Sequence, residues 1–257
     1  MNKQPTLMQP QFCKNCEHTS MGNFCSNCGQ KAHTVRINLD YVKDEIKYTF
    51  LHINKGFLYT AKQLFTRPGD AIREFIDGKR VQHYKPILMV FVLAGLSGFL
   101  SLFIDYSDIL KATANSQNEK LIPYFNKGMN WMFSHYALLE ILALPIVSFF
   151  SWIAFKKWGY NYFENIIINS FSSAQRLLLT IAFFPFYYIG GENIIMIVGF
   201  VAMFIIMGLT VWNFIGIYRD KSPGNVILRI LLYFFMLFTT YMIIIIASMV
   251  GLIMYLD

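Results

Sequence analysis

The chain has 257 residues, of which 55% are hydrophobic, 17% aromatic and 14% charged, with a mean hydropathy of +0.42 and a formal net charge of +7. Soluble domains carry about 25% charged residues, so these proportions exclude an ordinary soluble enzyme, and 25 phenylalanines exclude a disordered chain. Residues 1–85 hold 13 of the 22 Lys/Arg and 7 of the 15 Asp/Glu, the pattern of a polar head on a membrane body.

In chain order, the first feature is a set of four cysteines, Cys13, Cys16, Cys25 and Cys28, spaced C-x2-C-x8-C-x2-C. Two C-x2-C pairs bring four thiolates to one ion in a tetrahedral S4 site, a geometry that favours zinc or iron, and zinc is the metal expected here. Gly29 suits the turn after the second pair and Gly22 the connection that doubles back. A disulfide framework does not suit a head that the charge pattern places in the cytosol. A thioredoxin-like role needs one C-x2-C within an α/β domain, for which there is no room. Four thiolates fill the coordination sphere, so the zinc is expected to be structural, with His18 and His33 as surface residues. Only Lys14, Lys31 and Arg36 accompany Phe12 and Phe24 in this segment, too thin a basic and aromatic face for nucleic acid. A small module that binds a cytosolic protein partner is the better expectation.

From Leu39 to Leu64, apolar residues recur every three or four positions, which predicts an amphipathic helix with Asn38 or Asp40 as its cap. It suits the headgroup plane, the chain's own membrane domain or a second copy. Thr66-Arg67-Pro68-Gly69 stops it. A short helix follows, with Ala71, Ile72, Phe75 and Ile76 on one face and Gly78 as its stop. Lys79, Arg80, His83 and Lys85 then crowd the membrane face. Lys79, Arg80 and Lys85 are candidate contacts for anionic lipid, and topology control accounts for the same charges.

Five runs suit a hydrocarbon core that takes roughly 20 residues to cross: 86–104, 132–155, 166–189, 193–218 and 226–256. The third is the weakest. Leu177–Ile189 is too short alone, so a full span recruits residues from 166 and places Arg176 near mid-depth. Otherwise 159–176 is re-entrant or interfacial. Five spans with the N-terminus inside and the C-terminus outside put 19 Lys/Arg on the inner side and 3 on the outer, as the positive-inside rule requires. Residues 1–12 have no apolar core of a signal peptide, so the first span is expected to act as its own insertion signal. The expected fold is an all-α polytopic membrane protein: residues 1–36 a zinc ribbon, 37–85 cytosolic amphipathic helices and a basic segment, 86–257 the spans.

Three stretches carry a resemblance. They are the ribbon ending Cys28-Gly29-Gln30, the run Thr66-Arg67-Pro68-Gly69 with Ile72-Arg73-Glu74-Phe75-Ile76-Asp77-Gly78-Lys79-Arg80 and Tyr84-Lys85-Pro86, and Asn161-Tyr162-Phe163-Glu164-Asn165. Together the chain resembles a family of bacterial inner-membrane proteins catalogued as a domain of unknown function. The family pattern has His where this chain has Asn165. The resemblance implies a multispan protein of the bacterial inner membrane bearing a zinc ribbon, and implies no activity.

Ionisable residues within spans are costly. Glu140 lies roughly 24 Å and Arg176 roughly 16 Å above the inner span ends at about 1.5 Å per residue, and the two are expected to pair. Such a pair is either a packing tether, as the Asn169, Ser170, Ser172, Ser173 and Gln175 around it also suit, or part of a polar path. No H-E-x-x-H, phosphate loop or G-x-S-x-G is present. The leading expectation is therefore a non-enzymatic scaffold or adaptor working through its ribbon. The alternative is a small transporter or lipid-handling protein using Glu140 and Arg176. Oligomeric state is open.

Overall fold

A computed structural model describes residues 11–32, 34–47, 56–103, 127–128, 130–132, 134–190 and 192–256. His33, Ile104 at the expected end of the first span, and Lys111 and Lys120 in the expected outer loop lie outside the described residues. The chain is mostly helical. After a two-stranded ribbon, β1 (Gln11–Phe12) and β2 (Thr19–Ser20), come eight α-helices and a short 3-10 helix, Lys156–Trp158, among the described residues. The α-helices are α1 (Leu39–Lys47), α2 (Phe57–Thr66), α3 (Pro68–Asp77), α4 (Pro86–Ser101), α5 (Tyr136–Phe155), α6 (Tyr162–Ile189), α7 (Glu192–Ile217) and α8 (Pro223–Leu256).

Asn38 caps α1, its side-chain oxygen accepting from the Tyr41 N–H at 2.9 Å. Where periodicity predicts one helix over 39–64, the described residues form two, with Gly56 in a turn directly before α2. Arg67 (φ −149°, ψ 60°) breaks the chain between α2 and α3. Pro68 then opens α3, where its missing N–H and fixed φ cost nothing. Gly78 ends α3 at φ +113°, the left-handed stop that glycine supplies, with the Lys79 N–H returning to the Glu74 carbonyl at 2.8 Å.

Among the described residues, four helices are long and apolar enough to cross a membrane: Tyr136–Trp158, Tyr162–Ile189, Ile194–Ile217 and Pro223–Ser248. The first apolar helix, α4, has 16 residues, about 24 Å at 1.5 Å per residue. Residues 166–189 belong to one continuous helix that begins at Tyr162. Asn161 and Glu164 form a capping box there: the Asn161 side chain accepts from the Glu164 N–H, and the Glu164 carboxylate accepts from the Asn161 N–H. A polar start hides this helix from a hydropathy reading.

Helix α6 is the hub. It packs on α4, α5 and α7, and α2 and α3 close over its lower part. Residues from Glu164 to Phe171 are buried on every side. The apolar face of the expected connector thus turns inward: Leu64, Ile72 and Phe75 are buried, and the Phe75 ring meets Phe171 edge-on at 5.2 Å. The C-terminal ends of α5 and α7 and the N-terminal part of α8 join in an aromatic cluster. Phe155 stacks between Phe214 at 4.7 Å and Tyr218 at 4.6 Å. Outward, α7 and α8 present a continuous apolar surface that includes Ile197, Phe200, Phe204, Leu231, Phe235 and Phe238. Such a surface is far larger than soluble proteins leave open.

Candidate functional site

The four cysteine sulfurs lie within 4.8 Å of one another. Cys13 and Cys28 are 3.5 Å apart, Cys16 and Cys25 3.6 Å. Metal–sulfur bonds of about 2.3 Å in a tetrahedron place the sulfurs about 3.8 Å apart, so the cluster fits one metal ion held by four thiolates. His18 is exposed and stands outside the cluster.

Two nearly identical turns build the site. In the first, the Cys13 N–H donates to the His18 carbonyl at 3.0 Å and the Glu17 N–H to the Cys13 carbonyl at 2.8 Å. In the second, the Cys25 N–H donates to the Gln30 carbonyl at 2.7 Å and the Gly29 N–H to the Cys25 carbonyl at 2.9 Å. The strand pairs repeat as well: Phe12 faces Thr19, and Phe24 faces Lys31. The signal sits in the sequence as Phe-Cys-x-Asn-Cys at residues 12–16 and again at 24–28. The repeat also exposes a substitution. Where the second turn has Gly29 at φ +74°, the first has Glu17 at φ +60°, a left-handed conformation that is costly for a residue with a Cβ. Hydrogen bonds from the His18 backbone and the Asn27 side chain pull the Cys16 thiol down to about 6, while partial burial and the neighbouring thiols push Cys28 up to about 12.

The ribbon is fastened to the helices. The buried Gln30 side chain donates to the Gly78 carbonyl at 2.8 Å and accepts from the Arg80 N–H at 3.1 Å. Arg36 clamps the Glu164 carboxylate with two bonds of 2.7 and 2.8 Å and reaches the Gly159 carbonyl at 2.7 Å. Asn161 donates to the Ile37 carbonyl at 3.1 Å. These partners are 48 to 128 positions apart, and nothing local in the sequence signals them. Of the three residues expected at anionic lipid, Arg80 is held within the protein, over the Tyr41 ring at 4.7 Å and against the carbonyls of Phe75 and Val35. Lys79 is exposed, and Lys85 is half-buried at the cap of α4.

A buried carboxyl that sequence reading missed completes that cap. Glu45, on α1, accepts from the Ile87 N–H at 3.1 Å in the first turn of α4, where the helix dipole favours a negative group. Burial nevertheless pushes its pKa from 4.5 up to about 7, against the pull of the Ile87 N–H and the Lys85 charge.

Within the spans, Arg176 donates to both the Glu140 carboxylate and the Ser173 hydroxyl, the latter at 3.1 Å. Because α6 starts at Tyr162 rather than Ile166, Arg176 stands about 21 Å along α6 and Glu140 about 22 Å up α5 from Phe155. The expected offset in height disappears. Of the further polar groups on α6, Asn165, Asn169 and Gln175 join helices, while Ser170 and Thr180 bond to carbonyls of α6 itself. Ser151 donates to Asn165 at 2.9 Å and accepts from Asn169 at 2.7 Å. Gln175 donates to the Leu64 carbonyl at the end of α2, and Asn213 on α7 donates to Gln175 at 2.9 Å. Asn165 also donates to the Asn161 carbonyl at 2.9 Å, so it is part of an interhelical network with Ser151 and Asn169.

Residues 54–98 are similar to a family described as a protein of unknown function, DUF3667. The match covers α2, α3 and most of α4, under a fifth of the chain. No curated protein and no solved structure matches.

Proposed function

We propose that the chain is a five-span protein of a bacterial inner membrane, N-terminus inside and C-terminus outside, whose zinc ribbon is a fixed docking head for a cytosolic protein. Helix α4 supplies the fifth span, and the 19-to-3 division of Lys/Arg across the bilayer supports the orientation. Zinc suits four thiolates at these separations, and with its coordination filled it acts as a structural ion. The observation that carries the adaptor reading is the anchored ribbon. It is bound to the helices through Gln30 and Arg36, and it leaves Phe12 (75% exposed), Met21 (68%) and Phe24 (58%) open to solvent. Exposed aromatics on a rigid mount suit protein contacts. The direct Glu140–Arg176 contact supports the tether over the polar path, since each charge compensates the other between packed helices.

The test is photo-crosslinking in native membranes from an unnatural amino acid at position 21, comparing the parent with Phe12→Ser/Phe24→Ser and with Cys28→Ser. A discrete adduct, lost in both variants, together with one zinc per chain that disappears with Cys28→Ser, is the expected result. An adduct indifferent to both changes overturns the adaptor reading.

A further inference from the structure

The lower end of α8 carries a feature that neither the ribbon nor the Glu140–Arg176 pair explains. A groove of about 630 Å³ runs beside Trp158, with Asn225 and Arg229 at one end and Leu231, Leu232 and Phe235 along its length. From Asn225 to Phe235 is about 15 Å of helix, polar at the inner end and apolar beyond. Leu232 (46% exposed) and Phe235 (63%) open the groove to the outward face of α8, the face that meets lipid if the helix spans a bilayer.

Arg229 is unlike the other arginines of the chain. Of the seven, Arg36, Arg67, Arg73, Arg176 and Arg219 each hold a carboxylate, and Arg80 lies over two rings on the inner side. Arg229 has no carboxylate partner among the described residues. It donates to the Ala154 carbonyl at the end of α5 and lies 4.5 Å over the Trp158 ring. Those contacts aim the guanidinium and leave its charge uncompensated. Lys156 and Lys157 immediately precede Trp158 and add positive charge to the same end. A cation at the edge of the hydrocarbon requires a partner. The guanidinium has donors left to grip phosphate, and tryptophan favours the headgroup level.

We propose that this groove is a binding site for an anionic phospholipid, the phosphate held by Arg229 with Asn225 and Trp158 beside it, and an acyl chain laid along Leu231, Leu232 and Phe235. The proposal rests on the membrane reading above and is independent of the adaptor reading. It places the lipid away from Lys79, Arg80 and Lys85, where Arg80 is already held by protein groups.

The full-length protein is reconstituted in bilayers containing a trace of phosphatidylglycerol or phosphatidylcholine that bears a photoreactive group in the upper acyl chain. Adducts on residues 225–235 are then quantified by mass spectrometry. Phosphatidylglycerol is expected to label this segment about fivefold over phosphatidylcholine, the ratio that about 1 kcal/mol for one charge corresponds to. Arg229→Gln abolishes the excess and Arg229→Lys keeps part of it. Because Arg229→Gln also removes a helix-end contact, Leu232→Trp is the second variant. It fills the groove from the outward face while Arg229 and its charge are retained, and labelling by both lipids falls. Equal labelling by the two lipids in the parent protein, or a preference unchanged in both Arg229→Gln and Leu232→Trp, overturns the site. Resistance to alkaline carbonate extraction is measured on the same samples: protein released by carbonate refutes the membrane reading, whereas retained protein without lipid preference refutes only the groove.

Discussion

Gly69→Ala is expected to be among the most damaging single-carbon additions in the molecule. A Cβ on Gly69 would lie 2.4 Å from both the Cα and the carbonyl carbon of Gly216, and 2.8 Å from the Ile217 nitrogen. Ordinary contact begins at 3.4 Å, so α3 must retreat from α7 by about 1 Å, and both obstacles are backbone that no rotamer change moves. Overpacking that side chains absorb costs about 1–3 kcal/mol. This contact belongs at the upper end. Retreat also strains the bond from Arg73 to the Ile217 carbonyl at 3.3 Å and the exposed pairs Arg73–Asp220 and Asp70–Arg219, which add no more than about 1 kcal/mol each. A loss of about 3 kcal/mol is expected, read from unfolding in mixed micelles titrated with a denaturing detergent. Gly216→Ala, whose Cβ would stand 2.9 Å from the Gly69 Cα, is also destabilising. The double variant costs less than the two single losses together, because helices once separated admit the second methyl group. Gly224→Ala is the control, since its Cβ meets nothing within 4 Å. A Gly69→Ala protein within about 0.5 kcal/mol of the parent would falsify the close approach.

Glu45 gives the protein a pH dependence. Its pKa is higher folded (about 7) than unfolded (4.5), so its contribution to stability is fully present below 4.5 and is lost as pH rises through about 7. The full swing is about 3 kcal/mol at most, and Glu45→Gln should remove that slope from a pH series of unfolding curves; an unaltered slope assigns it to other groups. Glu17→Gly relieves a left-handed conformation worth about 1–2 kcal/mol, part of which glycine's chain entropy cancels, so if the four cysteines hold a metal as proposed, its release to a chelator should slow. A faster release contradicts the strain. Glu164→Ala removes the bond that its carboxylate accepts from the Asn161 N–H, worth about 1 kcal/mol, along with the Arg36 clamp, whereas Arg36→Ala removes the clamp and the Gly159 contact and leaves the helix cap in place. Hydrogen exchange at residues 34–38 and 162–165 should therefore rise in the first variant, and only at 34–38 in the second; equal rises at both segments refute the division of roles.

What was legible in the sequence follows the range of the forces involved. Cys13, Cys16, Cys25 and Cys28 are readable because a metal imposes spacing on neighbours, and the Phe-Cys-x-Asn-Cys repeat holds enough local information to place Glu17 in a left-handed turn. The four long apolar helices are readable because the bilayer imposes length. The start of α6 is misplaced by four residues for a physical reason: the polar Asn161 and Glu164 that hydropathy discards are the groups that cap the helix. The Glu140–Arg176 contact could be anticipated since burying either charge alone is costly, while its level geometry depended on that missed start. Glu45 at Ile87, Gln30 at Gly78 and Gln175 at Leu64 are separated by 42 to 111 positions. Each joins a polar side chain to a backbone group, and a backbone group has no residue identity to read.

That distinction also explains the segment similar to the family of unknown function. Its residues serve the architecture one by one. Arg67 pairs with Glu74 at 3.0 Å, Pro68 begins α3, Gly69 admits α7, and Ile72 and Phe75 fill the contact with α6. Gly78 turns the chain left-handed and offers its carbonyl to Gln30 of the ribbon, and Arg80 returns over Phe75. Helix α3 is 10 residues long, about 15 Å, and one end touches the four-cysteine ribbon while the other touches α7 backbone to backbone. A helix held so tightly at both ends is a strut. The motif's physical content is therefore the rigid placement of the ribbon against the bundle, while the exposed Phe12, Met21 and Phe24, to which the proposed adaptor role assigns the partner contacts, lie outside the matched residues.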